Sequence, residues 1–154
     1  MRSQIEVQLV SGCDSEPNAG QIRDWVGVAL RALQRPSAQL TVRLVDMTEM
    51  TQLNKRFRGQ AGPTNVLSFP FEAPPGMPQP IRQLGDIVVC VPLVEREAAI
   101  QAKHIQAHFA HLIVHGVLHL HGHDHQQHDE TQEMETLEKD ILAQFGIADP
   151  YLAA

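Results

Sequence analysis

The chain has 154 residues, with 18 acidic against 12 basic side chains and a formal net charge of -6 when histidine is neutral. That balance excludes a broadly basic surface of the kind that wraps nucleic acid, so any polyanion contact has to be local. The length predicts one domain over residues 1–154, while the isolated Cys13 and Cys90, with no recognisable leader and no apolar run of membrane length, predict a protein of the reducing cytoplasm that contacts no membrane.

Ile5, Val7 and Leu9 alternate with polar residues, the pattern of a half-buried strand. From Asn18 to Leu33 the spacing changes: Ile22, Trp25, Val26, Ala29 and Leu33 recur as one helical stripe that can lie on a sheet, and Pro36 closes it. Leu40, Val42 and Leu44 predict a second strand. Thr48 is then the expected N-cap of a short helix burying Met50, Leu53 and Phe57, broken by Gly59 and Gly62. The densest positive cluster, Lys55, Arg56 and Arg58, falls at that helix end, where cations complement the helix dipole and a solvated end is the simplest reading.

Asn65 to Phe71 reads as a third strand or edge segment, because Pro70 cannot donate to a ladder. A proline-rich surface loop covers residues 73–80. Leu84 to Val91 predicts a fourth strand, and its unbroken apolar run Ile87 to Val91 places it centrally. Pro92 opens the next helix, and the helical pattern continues to His121 in one piece or two. Asp129 or Thr131 is the expected cap of a last helix that buries Met134, Leu137, Ile141, Leu142 and Phe145 and ends at Gly146. The order β-α-β-α-β-β-α-α predicts an α+β (mixed α/β) fold, one sheet of about four strands with helices on its faces.

His115, His119, Gly122 and His125 form an H-x3-H-x2-G-x2-H frame. On a helix the first two imidazoles sit one turn apart on one face. Gly122 is expected to end that helix, letting the chain turn back and bring His125 to the same ion. Three histidines would leave one coordination position open, the mark of a catalytic zinc site. Zinc peptidases of the same spacing carry a glutamate base directly after the first histidine, where this chain has Gly116, so the metal should serve a reaction other than peptide hydrolysis. Zinc can lower the pKa of bound water to about 7 without such a base. His104, His108 and His111 precede His115 at spacings that an unbroken helix would align with the site, as buried or supporting imidazoles. His121, His123 and His128 read as solvated loop residues.

His115 to His125 resembles the H-G-x-L-H-L-x-G-Y-D-H signature of the YbeY endoribonucleases, or rRNA maturation factors. Leu53-Asn54 with Arg58-Gly59 and Pro63-Thr64-Asn65-Val66-Leu67-Ser68-Phe69-Pro70 is similar to the family's second signature, and Leu84-Gly85-Asp86-Ile87 to its third. The end of the chain, Met134, Glu138, Gly146 and Asp149-Pro150-Tyr151, is similar too. The resemblance implies a bacterial, cytoplasmic, zinc-dependent endoribonuclease of single-stranded RNA, active in rRNA maturation at the 3′ end of 16S rRNA and in ribosome quality control. Its implied partners are the small ribosomal subunit and its assembly factors. The implied ligands of one zinc ion per chain are His115, His119 and His125, and the implied catalytic residue is Arg58, whose guanidinium could grip a phosphate in a local contact. Asp86 and Asp124 are candidates for orienting ligands or water. Gln60-Ala61 stands where the family often has Lys-Asp, and His123 where it usually has Tyr. Two other readings compete: a zinc hydrolase of a peptide or small molecule, and a non-enzymatic ribosome-assembly factor with a structural metal.

Overall fold

A computed structural model describes residues 4–78, 82–125 and 130–150, without the side chains of 123–125 and 130–132. Among these residues the elements run β1 (Gln4–Leu9), α1 (Ala19–Ala32), β2 (Gln39–Val45), α2 (Met47–Arg58), β3 (Val66–Pro70), β4 (Gln83–Cys90), α3 (Val91–Ile100), α4 (Ile105–His125) and α5 (Glu130–Ala143). The strand order is β1-β2-β4-β3, with β1, β2 and β4 parallel and β3 an antiparallel edge strand. The mixed α+β architecture expected from the element order is the one observed.

Alternation along the strands sorts the core into two layers. Ile5, Val7, Leu40, Val42, Leu44, Ile87 and Val89 share one face of the sheet, covered by α1, α4 and α5 through Ile22, Val26, Phe109, Ile113, Val117, Ile141 and Leu142. The opposite face presents Val45, Leu67, Val88 and Cys90 to Met50 and Leu53 of α2. Burial on both faces explains why the apolar run of β4 is continuous. Arg43 of β2 clamps α2 to the sheet, its guanidinium donating to Glu49 at 2.6 and 2.9 Å and to Gln8 at 2.8 Å. Gly85 has φ 140°, and a Cβ there would lie 2.1 Å from the Phe69 carbonyl oxygen, so only glycine lets β3 pair at this point.

Asn18 caps α1 in a capping box with Gln21, as the sequence suggests. The cap of α2 differs from expectation: Asp46, directly after β2, accepts from the Glu49 backbone N–H at 2.9 Å, and Thr48 lies inside the first turn. Pro92 stands in the first turn of α3. Of the two readings left open for residues 92–121, the structure takes the broken one. Ala102 adopts a left-handed conformation (φ 54°) between α3 and α4, and the backbone carbonyl of His104 receives the His108 N–H to start α4.

Gly122 does not end α4, which continues to His125. A Cβ at 122 would lie 3.4 Å from Cε of Met134 in α5, an ordinary van der Waals contact. Thr131 lies within α5 and is not its cap, whereas Asp129 and His128 fall outside the described residues. After α5 the chain turns at Gly146 (φ 73°), whose N–H donates to the Ala143 carbonyl. No helix among the described residues is long and apolar enough to cross a membrane.

Candidate metal centre

Most of α4 is buried, with Phe109, Ala110, Ile113, Val114, Gly116, Val117 and Leu120 all turned inward. Its four-residue spacing leaves His111 partly buried and His115 and His119 exposed on one stripe. Helix α5 lies against this stripe and inserts Glu138, only 1% exposed. One carboxylate oxygen, Oε1, lies 2.8 Å from His111 Nε2, and the other, Oε2, lies 3.1 Å from His115 Nδ1. The ligand atoms of His111, His115 and Glu138 all fall within 4.8 Å of one another, the group among the described residues with the spacing to hold a metal ion.

Burial is the largest single influence on the Glu138 carboxyl and raises its pKa. Hydrogen bonds from His111 and His115, together with the charge of both rings, outweigh it and hold the group at about 2. The His115 imidazole is shifted up, chiefly by its hydrogen bond to Glu138, with burial opposing and the charges of Glu138 and Glu135 adding to the rise. A cleft of about 840 Å³ adjoins the group, walled by Trp25, Lys103, His108, Phe145 and Asp149. His111 belongs to both cleft and cluster.

The expected histidine stripe is divided by its partners. His104 lies before α4, and His108 turns its Nε2 to Glu97 of α3 at 2.9 Å. Glu97 also accepts from Asn65 at 3.1 and 3.3 Å, so this second network ties α4 to α3 and the start of β3. The backbone at position 125 belongs to α4, but the side chains of His123, Asp124 and His125 lie outside the described residues. On a continuous helix position 125 falls about 240° around the axis from position 119.

Position 116 faces the sheet. A Cβ on Gly116 would meet three side-chain carbons of Ile87 at 3.1–3.2 Å, so the missing glutamate has a packing reason. Arg58 ends α2, on the side of the sheet opposite α4, and is exposed. Beside it Phe57, 55% exposed, meets Phe69 edge-on at 5.2 Å between ring centroids and carries the Arg56 guanidinium at 5.3 Å. Asp86 shares that same opposite face with Thr41 and Glu6, away from the histidine group. Burial raises its pKa, with a Thr41 hydrogen bond opposing and Glu6 adding.

The sequence model of the family described as Endoribonuclease YbeY matches residues 10–146. The chain belongs to the YbeY family. A relative in Alkalilimnicola ehrlichii named Endoribonuclease YbeY is 54% identical over 149 residues, 96% of this chain and 90% of its own length. The solution structure of TM1509 from Thermotoga maritima aligns with a TM-score of 0.59 at 23% identity, covering 96% of this chain and 99% of that one, and bears on the fold. The YbeY match encloses Arg58, Gly85, the histidine frame and Glu138.

Reading the residues without the structure missed the pairing of Glu138 with His111 and His115. One signal was available. Met134, Leu137 and Ile141 mark the apolar stripe of α5, and Glu138 lies on that stripe, where an ionisable side chain has to find a buried partner.

Proposed function

We propose that this chain is a zinc-dependent endoribonuclease of single-stranded RNA, acting in the cytoplasm on rRNA, at the 3′ end of 16S rRNA, and in ribosome quality control with the small ribosomal subunit and its assembly factors. Membership of the YbeY family and the printed name of the 54% identical relative support RNA cleavage. The observation that carries the metal dependence is the pair His115 and His119, exposed one turn apart on a helix that is otherwise mostly buried. Neutral imidazoles of this spacing suit zinc. His115, His119 and His125 would hold one ion, which when bound supplies a Lewis acid for charge developing on a phosphate.

The protein's own contribution is positional. Lys55, Arg56 and Arg58 concentrate positive charge at one helix end of an acidic chain, so a phosphate backbone has a local place to bind. The Arg58 guanidinium is suited to a bidentate phosphate contact. The test is elemental analysis of purified wild type and His119→Ala beside an assay on single-stranded RNA. One zinc per wild-type chain, with zinc and cleavage both lost in the variant, is expected; a variant that retains stoichiometric zinc would place the cage elsewhere.

A further inference from the structure

Glu138 sits where two readings of the same atoms diverge. With His111 and His115 it has the spacing of a metal-ligand set, yet both carboxylate oxygens already lie on imidazole nitrogens, at 2.8 and 3.1 Å. An ionised carboxylate can only accept hydrogen bonds, so each contacting ring nitrogen must carry a proton. His111 therefore donates through Nε2, and His115 through Nδ1. In neutral His115 the lone pair is then left on Nε2, the form in which imidazole binds a metal.

We infer that Glu138 is a positioning residue: its buried carboxylate, itself steadied by His111, fixes the tautomer and ring orientation of His115 so that Nε2 is presented to the metal beside His119. This rests on the proposed histidine cage and assigns His111 and Glu138 to its support, outside the ligand set. Burial makes the arrangement specific. Glu138 is 1% exposed, so water cannot replace a lost imidazole partner at low cost, and α5 thereby locks the outer face of α4. Hydrogen-bond partners of this kind typically change metal affinity by about 10–100-fold when removed.

The experiment is a zinc titration against a chromophoric chelator with metal-stripped wild type, Glu138→Gln, Glu138→Ala and His119→Ala, each checked for its melting temperature without metal. Long-range proton–nitrogen NMR of the metal-free proteins reads the His115 tautomer. Glu138→Gln, nearly the same shape, should fold, bind one zinc, and bind it about 10–100-fold more weakly. Wild type should show the proton on Nδ1 of His115, and Glu138→Ala should lose that preference. Zinc affinity unchanged in Glu138→Gln, or an unchanged tautomer in Glu138→Ala, overturns the inference. Complete loss of zinc in Glu138→Gln also overturns it, by making the carboxylate a ligand. Failure of the underlying cage is distinct, since it shows as stoichiometric zinc in His119→Ala.

Discussion

Gly116 lies in the middle of α4, on the side turned toward β4. Its place after the first histidine invites comparison with a catalytic base, but its α-carbon faces Ile87, where a Cβ would lie 3.1 Å away. Gly116→Glu should therefore cost about 3–5 kcal/mol, as expected for an unpaired buried charge, and give no peptidase activity. Urea unfolding and a casein assay check this; a stable variant that hydrolyses casein would contradict the packing account. Asp86 supplies a pH test on the other face of the sheet. Because burial and Glu6 raise its folded pKa above the ordinary aspartate value, the folded state binds this proton more tightly than the unfolded chain. Its contribution to stability is thus most favourable at low pH and is lost as pH rises through the shifted value. Asp86→Asn should raise the melting temperature at neutral pH and lose that advantage below pH 3.8, which thermal melts across pH measure directly.

At the scale of elements, what the sequence reveals depends on whether a boundary is local. The alternation of β1 and β2, the stripe of α1 and the apolar run of β4 all report burial along one segment, and each element lies where it is expected. The start of α2 was obscured because Asp46 and Thr48 are both good caps, and only the geometry after β2 chooses between them. Gly122 misled for a related reason: glycine often ends a helix, but inside one it costs only about 1 kcal/mol, and α4 runs through it to His125. The break between α3 and α4 carries no glycine or proline; the left-handed residue is Ala102. A left-handed alanine costs roughly 1–2 kcal/mol, and glycine loses about 0.5–1 kcal/mol of extra backbone entropy on folding. Ala102→Gly should stabilise the protein by about 0.5–1 kcal/mol, the balance of those terms. A lower denaturant midpoint would show that this turn is held by side-chain contacts of Ala102.

Across the whole molecule, the residues proposed for function lie in the layers on opposite faces of one sheet. Helix α4 presents His115 and His119 from one side, while α2 brings Arg58 to the other, so the histidine pair was legible from spacing and Arg58 only from resemblance. Glu138 lies 23 residues from His115; its place on the apolar stripe of α5 signals burial, but its histidine partners depend on how α5 packs on α4, which no local pattern encodes. Arg58 is exposed at a helix end, so its side chain adds little to folding. A cation there contributes only about 0.3–1 kcal/mol to the helix. Arg58→Ala should keep its zinc and nearly its full melting temperature, while RNA cleavage falls at least tenfold, about 1.4 kcal/mol of transition-state stabilisation. Destabilisation comparable to a core substitution would assign Arg58 to the fold.

Metal dependence is the claim on which the functional account turns. The most direct measurement is the rate at which metal-stripped wild-type protein cleaves single-stranded RNA as zinc is restored. Cleavage should be absent in the stripped protein and should rise with zinc until one ion is bound per chain. Full cleavage by protein shown to be free of metal would contradict the account.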